Sequence, residues 1–229
     1  MTGVLIQVRL GSTRLKQKAL LMLGDRSVIE HAMLALRAVD ADVFALLSDQ
    51  PSAELLRPAA DRCGYRLFAG HDTDVLQRYI DAAEQFGVST IVRATGDNPA
   101  VSGPLAQALL EIHRDSTSVL SGFDDLPLGC GVEIVERAAL EQAHAASENA
   151  YDREHVTAYL YRHRTQFDVW RRPADPEYCA PEVRVTLDSA GDYQLLCDLY
   201  ARHYRGKPLA IEQVIQWWRS RTATIGVLR

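Results

Sequence analysis

Short β-branched runs alternate with helix-period segments over about the first 115 residues, and this alternation constrains the fold most. Gly3–Val8 (GVLIQV) reads as a buried strand. After the loop Gly11–Lys18, Ser27 and Glu30 stand at capping-box spacing. Val28, Ile29, Ala32, Met33, Leu36 and Val39 then recur at helical spacing. Asp42–Leu47 predicts a second strand, Ser52–Cys63 a helix stopped by Gly64, and Tyr65–Ala69 a third strand. Asp74–Phe86 is amphipathic and ends at Gly87. Ser89–Ala94 predicts a fourth strand, and Ser102 with Pro104 opens another helix. Parallel strands need helical crossovers, so this order predicts an α/β fold with a mostly parallel sheet and helices on both faces.

The second half is less regular. Thr117–Ser121, Val132–Val135, Phe167–Arg171 and Val183–Leu187 predict strands. Ala138–Ala146, Asp152–Arg164, Ala190–Tyr204 and Ile211–Arg221 predict helices. No linker or internal repeat divides the 229 residues, so one domain is expected, with halves at about 1–115 and 116–229.

Charge narrows the partners. The net charge of -5 argues against a long polyanion such as nucleic acid. Yet residues 1–24 hold no Asp or Glu while carrying Arg9, Arg14, Lys16 and Lys18. The apolar run Val4–Val8 is too short for a signal peptide, and no segment has the apolar length of a spanning helix. A cytoplasmic protein without membrane insertion is expected. Cys63, Cys130, Cys179 and Cys197 form no C-x-x-C pair, which points to reduced thiols.

Three segments carry candidate chemistry. Residues 7–18 (QVRLGSTRLKQK) follow a strand, where glycine-bearing loops aim backbone N–H groups at phosphates. Arg14 and Lys18 would neutralise that charge. The spacing excludes both the G-x-x-x-x-G-K-[ST] loop and the dinucleotide fingerprint. Residues 95–99 (TGDNP) put Asp97 at a strand's carboxyl end, where a carboxylate can hold Mg²⁺. Residues 184–193 (RVTLDSAGDY) place Asp188 after another predicted strand. Taken alone these are a basic turn, an Asp–Asn–Pro turn and a helix N-cap. Together they form one coherent site for a metal-bound nucleotide.

Six ordered motifs then carry a resemblance. They are QVRLGSTRL-x-x-K from residue 7, DTDVL-x-RY from 72, VRATGDNP from 92, PLG-x-GVE from 127, REHVT from 153 and RVTLDS-x-x-DY from 184. This set resembles the spore-coat-polysaccharide type of cytidylyltransferase, related to the acylneuraminate and 3-deoxy-manno-octulosonate cytidylyltransferases. The resemblance implies a three-layer nucleotide-diphospho-sugar transferase (GT-A-like) fold with a mixed, mostly parallel central sheet. It implies transfer of CMP from CTP, with Mg²⁺, to a sugar acid or a sugar or polyol phosphate, releasing pyrophosphate. Cell-surface polysaccharide or glycoconjugate biosynthesis and a homodimer are the further expectations.

Carried over by position, Arg14 and Lys18 become the catalytic cations. Arg9, Gly11, Ser12, Asp74, Arg78, Thr95 and Gly96 become nucleotide contacts, and Asp97 and Asp188 the metal ligands. Glu133, Arg153, Glu154, His155 and Arg184 fall on the acceptor side. The chain departs from the pattern at Lys16–Gln17, where the family usually has Pro-Gly. Glutamine does not replace glycine freely at positive φ.

Two other readings use the same residues. A glycosyltransferase on this fold would take a preformed nucleotide sugar, and a non-catalytic module would bind nucleotide without turnover. Asp124–Asp125 lacks the D-x-D spacing of a donor-metal motif, and the basic first loop favours a triphosphate. His155 alone reads as a surface or structural histidine, Cys130 as a small loop filler, and Trp217–Trp218 as packing for the last helix. Arg162, Arg164, Arg171 and Arg172 read as a solvated face or as contacts for an anionic acceptor.

Overall fold

The computed structural model describes residues 1–12 and 14–226, with side chains described through residue 221; Thr13 of the first motif lies outside them. β1 (Thr2–Gln7) leads through the basic loop to a 3-10 turn at Lys18–Leu20. A small hairpin, β2 (Met22–Leu23) and β3 (Arg26–Ser27), follows; the sequence reading did not anticipate it. α1 (Val28–Leu36) opens with the expected capping box: Glu30 accepts from the Ser27 backbone N–H at 2.8 Å. β4 (Val43–Asp49), α2 (Gln50–Cys63), β5 (Arg66–Gly70), α3 (Val75–Phe86), β6 (Thr90–Thr95) and α4 (Gly103–Arg114) complete the predicted alternation. Then come β7 (Leu120–Asp124), β8 (Glu133–Glu136), α5 (Arg137–Ala146), α6 (Ala150–His155) and α7 (Ala158–Arg162). β9 (Val169–Pro173), α8 (Ala190–His203) and α9 (Ile211–Gly226) close the order.

Seven strands form one sheet in the order β5-β4-β1-β6-β8-β7-β9. β8 runs antiparallel to both of its neighbours, and the other pairings are parallel. The mixed, mostly parallel sheet expected from the sequence is therefore present, and it crosses both halves of the chain. Side-chain alternation along β1 separates two cores. Val4 and Ile6 pack with α1, α2 and α4, while Leu5 packs with α3 and α5 on the opposite face. Each such buried aliphatic side chain contributes about 1.5–3 kcal/mol over leaving it in water. A third core joins α8 and α9 to the segment 180–187, and Trp217 is buried in it as expected.

Two predicted elements take another form. Asp152–Arg164 is not one helix. It breaks at Val156, which has φ 58, and Thr157 turns its hydroxyl to Glu133 at 2.9 Å. Positive φ is unfavourable for a β-branched residue, so side-chain bonding and burial of Val156 override local helix preference here. Val183–Leu187 is extended, but it forms no ladder. A single bridge links Arg184 to Leu128. Val183, Val185 and Leu187 alternate into the third core, so the apolar pattern came from packing rather than from a sheet.

Candidate active site

The carboxyl ends of β1 and β6 meet over a cleft of about 610 Å³. Of the expected residues, Arg9, Gly11, Ser12, Arg14, Lys18, Arg78, Thr95, Gly96, Asp97, Glu154, His155 and Asp188 line it. Its wall thus carries more cations than acids, which suits a polyanionic ligand.

Backbone ties bring the distant motifs together. Gly96 N–H donates to Gln7 O at 2.8 Å, seating the TGDNP turn against β1. A Cβ on Gly96 would lie 2.8 Å from Val8 Cβ and 2.7 Å from Ile29 Cδ1, so only glycine allows this approach. Leu187 N–H donates to Asp97 O at 2.9 Å, which sets Asp188 beside Asp97. Asp188 is not the helix cap. Ser189 caps α8 in a capping box with Asp192, leaving the Asp188 carboxylate free for the cleft.

Lys18 joins the two acids. Its Nζ lies 2.8 Å from Asp97 Oδ2 and 3.0 Å from Asp188 Oδ1, and it donates to Leu187 O at 2.6 Å. Thr95 donates its hydroxyl to Asp97 Oδ1 at 2.7 Å, and Asn98 Nδ2 donates to Thr95 Oγ1 at 2.9 Å. Arg14 is an exposed arm that reaches to 3.6 Å from Asp188 Oδ1. Gln17, which stands where the family pattern has glycine, takes the left-handed conformation, φ 51 and ψ 32. The loop thus keeps a glycine-like turn without the glycine.

Other expected contacts play different parts. Arg184 does not line the cleft; it bonds Asp188 Oδ2 at 2.5 Å and orients that carboxylate. Asp74 and Arg153 also lie outside it. Asp74 caps α3 through Gln77 N–H and is held by Arg153 at 3.1 Å and His144 at 3.0 Å. That cluster ties α3, α5 and α6 together. Arg78 lines the cleft yet is fully buried. Its Nε and Nη2 donate to the carbonyls of His71 and Asp72, and burial pulls its pKa down. From α6, Glu154 pairs with Arg9 at 3.2 Å across the cleft, and the His155 ring lies against Tyr151 at a tilt of 47°. Two polar cleft residues were given no role in the sequence reading, Gln7 and Arg93. Each is a polar residue inside an apolar strand run, a visible signal.

A second cavity of about 260 Å³ adjoins the first, sharing Arg93 and Thr95. Glu133 lines this one instead. Its carboxylate takes Arg93 at 2.7 Å, Thr157 at 2.9 Å and the Tyr161 hydroxyl. Burial pushes the Glu133 pKa up, but Arg93 and the two hydroxyl donors outweigh it and hold the group below its ordinary value. Arg171 also borders the cavity, bound to Asp124 at 2.5 Å, whereas Arg162 is committed to Asp152. Cys130 is fully buried, and burial pushes its thiol up to about 12, in keeping with an inert filler.

Among the described residues, no three acidic, histidine or cysteine side chains gather closely enough to hold a metal unaided. Asp97 and Asp188 supply two carboxylates, which is the usual protein share for Mg²⁺ bound with phosphates. No helix among the described residues is long and apolar enough to cross a membrane.

Comparison with known proteins gives this geometry a context. The spore coat polysaccharide biosynthesis protein SpsF of Bacillus subtilis is 32% identical over 206 residues, spanning 86% of this chain and 85% of the relative. A cytidylyltransferase structure from Leptospira borgpetersenii superposes with a TM-score of 0.90 at 24% identity, covering 97% of this chain and 95% of that one. A CMP:2-keto-3-deoxy-manno-octonic acid synthetase complexed with CTP shares the fold at a TM-score of 0.67 and 14% identity, covering 88% of this chain and 98% of that one. The family profile described as cytidylyltransferase matches residues 3–220, and the chain belongs to that family.

Proposed function

We propose that this protein transfers CMP from CTP to an oxygen of a sugar acid or of a sugar or polyol phosphate, with release of pyrophosphate. The observation that carries the reading is the convergence of Lys18, Asp97 and Asp188 in a cleft rimmed by Arg9 and Arg14. Cations from the first loop would hold the triphosphate, and the two acids would serve a divalent cation. The residues fit Mg²⁺: both ligands are hard carboxylate oxygens, and both already face one cationic point. When bound there, Mg²⁺ would polarise the phosphate under attack and help hold its oxygens in line.

The chain's own groups do the rest. Arg14 and Lys18 would stabilise negative charge on the departing pyrophosphate. Thr95 and Arg184 fix the orientations of Asp97 and Asp188, so that little rearrangement is needed during reaction. The second cavity, next to Thr95, would receive the acceptor. Arg93, Asn98 and Arg171 offer it polar contacts, and Phe123 and Leu126 an apolar wall. The name of the Bacillus relative supports a place in cell-surface polysaccharide assembly.

A pyrophosphate-release screen tests this. All four ribonucleoside triphosphates are presented with sugar acids and sugar phosphates, with and without Mg²⁺. Release is expected from CTP with Mg²⁺ and one acceptor class. Binding of CTP with no release across the panel would favour a non-catalytic module. Turnover of nucleotide sugars without CTP would favour a glycosyltransferase.

A further inference from the structure

Lys18 occupies the point on which the two cleft acids converge. An ammonium has three donors. Here they face Asp97 Oδ2, Asp188 Oδ1 and the Leu187 carbonyl at 2.8, 3.0 and 2.6 Å. The remaining carboxylate oxygens are engaged too, Asp97 Oδ1 by Thr95 and Asp188 Oδ2 by Arg184. Arg14 stands 3.6 Å from Asp188 as well. Two carboxylates are therefore met by three cations, Lys18, Arg14 and Arg184, and the cluster is net positive before any ligand binds.

A divalent metal and the Lys18 ammonium would claim the same two oxygens. They cannot share them, because like charges at that range repel strongly in a partly buried site. Lys18 is only 15% exposed, which limits screening by water. A metal alone would thus add charge to a pair already over-neutralised. A triphosphate changes the balance. Its oxygens offer the ammonium new partners, and a lysine head moves freely on a four-carbon stem. Once drawn onto phosphate, Lys18 leaves the two carboxylates open.

We propose that Lys18 is a displaceable counter-ion, which keeps divalent metal off Asp97 and Asp188 until a triphosphate draws it away. Metal then enters with the nucleotide or after it, and each tightens the binding of the other by linkage. This rests on the reading of the cleft as a metal–triphosphate site. It assigns that site an order of assembly, and gives Lys18 a role before chemistry as well as during it.

The probe is Mn²⁺ alone, titrated by electron paramagnetic resonance against nucleotide-free wild type, Lys18→Met and Lys18→Arg. Methionine keeps an unbranched apolar stem without the charge; arginine keeps the charge. Lys18→Met is expected to bind Mn²⁺ about tenfold more tightly than wild type, and Lys18→Arg to stay as weak as wild type. A lysine that merely supported the site would give the opposite sign, with weaker metal binding on its removal. Equal or weaker Mn²⁺ affinity in Lys18→Met overturns the proposal. Should that variant fail to fold, ¹⁵N NMR of the wild-type lysine ammonium decides. Mg²⁺ alone should leave the Lys18 resonance in place, and CTP with Mg²⁺ should move it; movement by Mg²⁺ alone overturns the proposal. Neither readout needs turnover. Absence of pyrophosphate release beside a tenfold Mn²⁺ difference would remove the proposed reaction only. Release with equal Mn²⁺ affinities would remove only the counter-ion.

Discussion

Two ion-paired clusters stand four residues apart along the chain at β6, and they are built for opposite ends. One joins Lys18 to Asp97 and Asp188; the other joins Arg93 to Glu133. Their side chains are similarly sheltered, at 15–27% exposure in the first and 15–16% in the second. Burial therefore does not separate them; what holds their ends does. Arg93 and Glu133 are register partners on adjacent strands. Thr157 and Tyr161 bond the same carboxylate, and Arg171 donates to Tyr161 at 3.0 Å while bonding Asp124. That network is tied from several elements at once, with Arg93 Nε left as its unpaired donor. In the first cluster Asp97 follows β6 and Asp188 follows the extended segment 183–187 rather than lying within a ladder, and the cation that bridges the two acids is one flexible lysine side chain facing the cleft. Such a pair can exchange partners, whereas the other locks α7 to the sheet.

The sharpest way to break this contrast is to remove one member from each cluster. Lys18→Ala or Asp188→Ala should lower kcat/KM by about 10²–10³, the usual cost of losing one preorganised charge. Folding stability should change less than in Glu133→Ala, since the groups left behind keep partners: Arg14 and Arg184 still face Asp188 without Lys18, Thr95 still holds Asp97, and Lys18 still pairs with Asp97 without Asp188. Near-normal pyrophosphate release by either purified variant would remove the cluster from the chemistry.

Glu133→Ala should act the other way. It strands Arg93 without a carboxylate, which costs about 3 kcal/mol of stability, read by denaturant unfolding. The pH dependence sharpens the point. Burial raises the Glu133 pKa, but Arg93, Tyr161 and Thr157 hold it below the ordinary 4.5. A carboxylate depressed in the folded state stabilises above its unfolded pKa. That contribution is lost as pH falls through the folded value. The Tm advantage of wild type over Glu133→Gln should therefore be full at neutral pH and shrink below pH 4.5. An advantage that does not change with pH would show that the charge of Glu133 is not what the network uses.

The same contrast explains what could be read in advance. Asp97 and Lys18 lie in local motifs, strand then turn, so their place at the cleft was legible. The parallel half was legible for a similar reason, since caps such as Ser27, Asp74 and Ser102 act within a few residues. Glu133 shared its motif with cleft neighbours, yet its partners come from β6, from Thr157 at the start of α7 and from Tyr161 within it, which no local spacing reveals. Val156 interrupts a helix for the sake of contacts distant in sequence. Val183–Leu187 has a strand's alternation because it packs into the third core, and alternation alone cannot tell that from a ladder. Arg93 and Gln7 lie inside two of the ordered motifs, yet what marked each of them singly was a polar residue in an apolar run.

The smallest expected effect lies in the loop that delivers Lys18. Gln17 holds φ 51 next to it, and no side-chain hydrogen bond supports that cap. A left-handed conformation costs a residue with a Cβ about 1–2 kcal/mol. Glycine removes that cost but adds freedom to the unfolded chain, worth roughly 0.5–1 kcal/mol in the opposite direction. Gln17→Gly should therefore gain about 0.5–1 kcal/mol, seen as a modest rise in Tm, while kcat/KM changes much less than in Lys18→Ala. The Gln17 side chain is exposed, so no buried contact is lost to confuse the result. A drop in Tm would mean that the loop gains from the glutamine side chain more than its backbone loses. The turn that places Lys18 would then be held by side-chain contacts, as the Glu133 network is, and the contrast between the two clusters would narrow.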